Sequence, residues 1–222
     1  MKIYLLMNEF LVIGDIHGEV NKLKELLAKM PKDKHLVFLG DYINIGRNSK
    51  QVIEELILLD DQCECTFLAG NHDLYLLAYL EKKMEFIEYA SFGGIPTILS
   101  YIDEAKGDVR NQLISSIPIT HIDFLKGLHL YMETELYFIS HAEVNFTRPY
   151  SRDKADLLYN KRYHEQIELV FEKTIICGHF VQSKLKPHIS ENFICLDTGC
   201  GTLNTGVLTA ISLPERKVIS TN

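Results

Sequence analysis

Three times in the first ninety residues a short apolar run gives way to a helical stripe. Leu11-Val12-Ile13 precedes residues 19–30, where Val20, Leu23, Leu26, Leu27 and Met30 fall on one helical face and Pro31 ends the segment. His35-Leu36-Val37-Phe38-Leu39 precedes a stripe near 49–59 with Val52, Ile53, Leu56 and Ile57 inward. Residues 65–69 form a third strand pattern and lead into a helix over about 73–88. This βαβαβα order predicts a largely parallel sheet core. From 91 to 127 the pattern is helical, punctuated by Gly93-Gly94, Pro96, Gly107 and Pro118, and is expected to cap one end of the sheet. Strand patterns return at 136–140, 174–177, 193–196, 206–213 and 217–220, the last two joined as a hairpin by Pro214-Glu215-Arg216. The polar, aromatic and basic stretch 145–165 reads as a long loop with one helix.

Composition narrows this α/β reading to a single domain over residues 1–222, with 46% apolar and 24% charged residues. A net charge of −7 lacks the basic footprint of a nucleic-acid partner. No apolar run approaches the roughly 20 residues that cross a bilayer, so no membrane partner is expected. Residues 1–14 are apolar, but Asn8 and Glu9 interrupt them, and they read as strand rather than leader. The five cysteines lack the paired clusters of a zinc site. Cys63 and Cys65 alternate as buried thiols would, and the expected compartment is reducing cytosol.

Candidate chemistry lies where strands end. Gly14-Asp15-Ile16-His17-Gly18, Gly40-Asp41, Gly70-Asn71-His72-Asp73, Ser140-His141 and Gly178-His179 each follow an apolar run. Open α/β sheets bind ligands at the carboxyl ends of their strands, so these groups are expected in one crevice. Taken singly, Asp15, Asn71 and Asp73 would serve as helix caps, and His17, His141 and His179 as turn or core histidines. Taken together they offer carboxylate, amide and imidazole ligands without thiolate. That set suits Mn²⁺, Fe²⁺ or Zn²⁺, and Mg²⁺ less well. One carboxylate shared between two such groups bridges ions about 3.5–4 Å apart in phosphoester hydrolysis.

GDIHG, GDY-x-x-x-G, GNHD, HA and GH, in this order, resemble the metal-dependent phosphoprotein phosphatases among the calcineurin-like metallophosphoesterases. The compact bacterial and phage-type serine/threonine phosphatases are the most similar. Gly93-Gly94-x-x-Thr97-x-x-Ser100-Tyr101, His121-x-Asp123-Phe124-Leu125 and Leu196-Asp197-Thr198-Gly199-Cys200 extend the likeness over residues 10–213. The resemblance implies a central β-sandwich flanked by helices and a binuclear centre of two divalent ions, Mn²⁺ first. One ion would take Asp15, His17 and Asp41; the other would take Asp41, Asn71, His141 and His179. His72 would protonate the leaving group. Asn44 and Ile45 replace the family's acid and arginine, Glu143 replaces a glycine, and Leu157-Leu158-Tyr159-Asn160-Lys161 stands where the family has Leu-Leu-Trp-x-Arg. Losing one charge-assisted hydrogen bond costs about 1.5–3 kcal/mol, or tenfold to a hundredfold. Asn44 is expected to accept from His72 through its amide oxygen. Arg47, Lys161 and Arg162 are the candidate phosphate contacts, with Arg148 and Arg152 behind them.

The implied activity is hydrolysis of phosphomonoesters, on phosphorylated protein or a small phosphorylated substrate. Loss of the arginine pair gives as alternative a bis(5'-nucleosyl)-tetraphosphatase or phosphodiesterase. The altered pair together with Glu143 gives as third a metal-binding protein without turnover.

Overall fold

The computed structural model describes residues 9–31, 33–145, 148, 150–160 and 172–222. In chain order they form β1 (Phe10–Ile13), α1 (Val20–Lys29), β2 (His35–Phe38), α2 (Ser49–Asp60), β3 (Cys65–Phe67) and α3 (Asn71–Leu80). Next come α4 (Phe86–Ser91), α5 (Gly94–Tyr101), α6 (Val109–Ser116), α7 (Ile119–Lys126), β4 (Tyr131–Glu133) and β5 (Tyr137–Ser140). The chain continues with α8 (Lys154–Tyr159), β6 (Thr174–Cys177), β7 (His188–Ile189), β8 (Phe193–Cys195), β9 (Thr209–Leu213) and β10 (Lys217–Ser220).

Every residue of β1 is apolar and buried, as a strand covered on both faces must be. Phe10 and Val12 point between two sheets, where they meet Val37, Ile139, Ile176 and Ile194. Leu11 and Ile13 point the other way, against Leu23 and Leu26 of α1 and Val52, Ile53 and Leu56 of α2. The second sheet repeats the plan, with Phe138, Ile175 and Phe193 packed against Leu157 of α8. The layers are therefore helices, sheet, sheet, helix: an α/β architecture with the expected central sandwich.

Each sheet has five strands, in the orders β10-β9-β1-β2-β3 and β4-β5-β6-β8-β7. Both differ from the largely parallel sheet expected. β1, β2 and β3 are parallel, as are β5, β6 and β8, but β9 runs antiparallel to β1, and β4 and β7 are antiparallel edges. The reason is the carboxyl-terminal hairpin, which returns to the first sheet beside β1. The helix expected over 73–88 is two helices. Lys82 adopts a left-handed backbone (φ 61°), Lys83 N–H returns to the Ala78 carbonyl, and the chain restarts at Phe86.

The helices α5 to α7 pack on α2 and α3, and this segment reaches the strand ends through Gly93 and Thr97. Cys63 lies in the turn before β3 and Cys65 opens that strand; both are half-buried rather than buried, with their Sγ atoms 3.6 Å apart. Among the described residues no helix is long and apolar enough to cross a membrane.

Candidate metal centre

Residues that follow β1, β2 and β3 meet residues that follow β5 and β6 at the seam between the sheets. The Asp41 Oδ2 atom lies 3.6 Å from His17 Nε2, 3.5 Å from His141 Nε2 and 4.0 Å from His72 Nε2. His141 Nε2 also lies 2.9 Å from Asn71 Oδ1 and 3.2 Å from His179 Nδ1. Two groups, His17-Asp41-His72 and Asp41-His141-His179, each bring their ligand atoms within 4.8 Å, and both contain Asp41. Asp15 stands beside them, its carboxylate accepting the His179 backbone N–H at 3.1 Å.

The protons show what this arrangement suits. His141 Nδ1 lies 2.9 Å from the Leu39 carbonyl and His17 Nδ1 lies 3.2 Å from the Ile43 carbonyl. A carbonyl only accepts, so each Nδ1 carries the proton and each Nε2 is a bare lone pair. Those lone pairs face the Asp41 carboxylate, the Asn71 amide oxygen and the His179 ring. Acceptors gathered against acceptors repel unless a cation sits among them. The donor set thus fits a divalent ion on geometry as well as on ligand type.

Burial points the same way. It raises the Asp15 and Asp41 carboxylates well above their ordinary range, with the Asp197 charge adding to both. Burial, with neighbouring imidazoles, brings His17 down to about 3, His179 to about 4, and His141 well below its usual value. The crevice disfavours charged carboxylates and charged imidazoles alike, and a bound cation relieves the first while using the lone pairs of the second.

The loops are held in strained backbone. His17, Asp41 and His179 have φ of 46°, 53° and 67°, a left-handed conformation that concentrates at functional sites. Asp73 fixes two of these loops by accepting the backbone N–H groups of Gly70, Asp41 and Tyr42 at 2.9, 2.9 and 3.0 Å. Asp41 Oδ1 in turn accepts the His72 N–H at 2.9 Å. A side chain at Gly70 would collide with the Asp41 carboxylate, and one at Gly178 with that of Asp15, so both turns require glycine.

Behind His72 the structure corrects one expectation. The Asn44 amide nitrogen, not its oxygen, faces His72 Nδ1 at 3.2 Å. The oxygen is occupied: it accepts from the Tyr89 hydroxyl at 2.8 Å and the Thr97 hydroxyl at 2.9 Å. Thr97 also accepts the Asn44 N–H and bonds to Ser49. An amide N–H on Nδ1 favours the neutral ring with its proton on Nε2, toward Asp41. Burial likewise lowers His72, against the Asp73 charge and the Phe92 carbonyl, which favour the charged ring.

Ile45 is half-buried with φ 66°, unusual for a β-branched residue, and its N–H donates to the Gly93 carbonyl. Arg47 is exposed and makes no hydrogen bond or ion pair among the described residues. Arg148 is committed to Asp153 and Asp156, and Arg152 to Glu133, so their charges are neutralised locally. Glu143 is buried. Lys161 and Arg162 lie outside the described residues. Sequence reasoning passed over Tyr89, Ser49 and the part played by Asp197. Asp197 follows β8 as Asp41 follows β2, and that repetition was a usable signal; nothing in the local pattern marks Tyr89.

Metal addition provides a first test. A ligand present at 100 times its Kd stabilises the folded state by about 2.7 kcal/mol. For a chain of this size that raises Tm by about 5–10 °C. Differential scanning calorimetry with Mn²⁺ against EDTA is expected to show this rise, and unchanged melting would count against a cation site.

Residues 9–198 match the model of the calcineurin-like phosphoesterases. The chain belongs to that family and is a metal-dependent phosphoesterase. It is 22% identical to the asymmetrical bis(5'-nucleosyl)-tetraphosphatase PrpE of Oceanobacillus iheyensis, over 94% of this chain and 90% of that protein. The protein of the same name from Anoxybacillus flavithermus is 24% identical, over 94% and 92%. A crystal structure provisionally described as a diadenosine tetraphosphatase superposes with a TM-score of 0.69 at 22% identity, over 98% of this chain and 94% of that one, and shows the shared fold.

Proposed function

We propose that the protein hydrolyses phosphoanhydrides of the dinucleoside polyphosphate class. The observation that carries this reading is the uncharged Asn44 amide behind His72, where a carboxylate would favour an imidazolium. A neutral imidazole is a weaker acid than an imidazolium. It suits a phosphate leaving group, which departs with little protonation, better than the alkoxide of a phosphoserine. The names carried by the two tetraphosphatase relatives support the same substrate class.

Asp15, His17 and Asp41 would hold one divalent ion, and Asp41, Asn71, His141 and His179 the other, with Mn²⁺ the first choice ahead of Fe²⁺, Zn²⁺ and Mg²⁺. Bound there, the ions would supply Lewis-acid polarisation of the phosphoryl group and a more acidic water. Water would add to phosphorus as the bond to the bridging oxygen breaks, its protons passing to the product phosphates and solvent, while His72 steadies the departing oxygen with a hydrogen bond from its Nε2–H. The Leu39 and Ile43 carbonyls hold His141 and His17 in the tautomers that leave Nε2 bare.

The test compares kcat/KM in Mn²⁺ on diadenosine tetraphosphate, p-nitrophenyl phosphate and a phosphoserine peptide. The tetraphosphate is expected to exceed the peptide by about tenfold to a hundredfold, the worth of one charge-assisted hydrogen bond. The reverse order would return the protein to a serine/threonine phosphatase role.

A further inference from the structure

An aromatic line leads away from His72. Tyr75 lies one turn along α3, so both side chains leave the same face of that helix, with ring centroids 5.6 Å apart. Tyr75 stacks on Phe92 at 4.2 Å and 22° between planes, and on Tyr159 at 6.1 Å and 26°. The three rings come from three separate segments, and Tyr75 lies close to parallel with each of the other two. Tyr159 closes α8, where Leu157 and Leu158 before it are buried, yet it remains 45% exposed. Its phenol is pushed up to about 12 by partial burial, with Tyr75 and then Asp41 adding to the effect, which places the ring within electrostatic reach of the candidate centre.

Tyr75 and Phe92 are half-buried, and Tyr159 is more exposed than either. Tyr159 ends a stack two ring contacts from His72. Arg148 and Arg152 are paired with acidic side chains, so a ligand gains little from these two by charge alone. We propose that Tyr159, backed by Tyr75 and Phe92, is a stacking platform for the base of a nucleoside phosphate whose phosphates lie at the Asp41 centre. Stacking is sequence-tolerant because every base has a π-face, so any purine nucleotide fits. The substrate named here rests on the phosphoanhydride reading, while the platform itself is read from the rings.

Binding separates the two. By titration calorimetry in Mn²⁺, the wild-type protein is expected to bind AMP roughly tenfold to a hundredfold more tightly than ribose 5-phosphate, the worth of one stacked base. Tyr159→Ala removes most of that preference, and Tyr159→Phe keeps it. Equal binding of AMP and ribose 5-phosphate by the wild type would overturn the platform. So would a parallel loss on both ligands in Tyr159→Ala, or tighter binding of a phosphotyrosine peptide than of AMP. A base preference that depends on Tyr159, in a protein that leaves diadenosine tetraphosphate intact, would keep the platform and reject the proposed reaction. Turnover of diadenosine tetraphosphate with no base preference would do the opposite.

Discussion

Asp41→Asn lowers kcat/KM on every phosphoryl substrate by about 10³-fold or more and abolishes the rise in Tm with Mn²⁺. The size follows from the several kcal/mol of charge stabilisation that a properly held metal pair supplies. Asp41 is the carboxylate common to both ligand groups, with Oδ2 within 4.0 Å of three imidazole nitrogens. An amide keeps the shape but brings N–H donors, which can bond to the bare Nε2 atoms of His17 and His141 and fill the space with protons. The other carboxylate atom, Oδ1, accepts the His72 backbone N–H, and an amide oxygen does this equally well. The fold should therefore survive, and circular dichroism should match the wild type. Activity within tenfold of wild type would sink the assignment of Asp41.

His72→Ala has the second largest effect and depends on the leaving group. General acid catalysis contributes about 10²–10⁴-fold. The loss in kcat is expected near 10²-fold on the phosphoserine peptide, whose alkoxide must be protonated as it leaves, and below tenfold on diadenosine tetraphosphate and p-nitrophenyl phosphate, whose leaving groups depart with little protonation. Asn44→Asp is the complementary change. It places a negative charge 3.2 Å from Nδ1, favours the imidazolium and speeds hydrolysis of alkyl phosphates by about tenfold. Tyr89 and Thr97 then donate to a carboxylate oxygen instead of an amide oxygen, so their hydrogen bonds remain. If His72→Ala slows all three substrates equally, the ring positions groups and does not donate a proton.

Much of this was legible in the sequence because the strand pattern and the site chemistry coincide. Each apolar run ends close to a residue of the candidate centre, so finding β1, β2, β5 and β6 pointed to Asp15, Asp41, His141 and His179, which the structure brings together. Direction along the sheet was less legible. Nothing local distinguishes a strand that runs parallel to its neighbour from one that returns through a hairpin, and β9 lies beside β1 from nearly two hundred residues away. The hydrogen bond behind His72 was misread for the same kind of reason. Asn44 offers an oxygen and a nitrogen, and the choice is made by Tyr89 and Thr97, 45 and 53 residues further on. Arg148 and Arg152 look available until their acidic partners are seen.

Asp15, His17, Asp41 and Asn71 leave one sheet, while His141 and His179 leave the other. An ion held by Asp41, Asn71, His141 and His179 would therefore act as a clasp across two halves of the molecule, because neither half alone carries that set of ligands. Metal release then reports on separation of the halves, and an opening motion too slight to expose the apolar interior would already silence the chemistry.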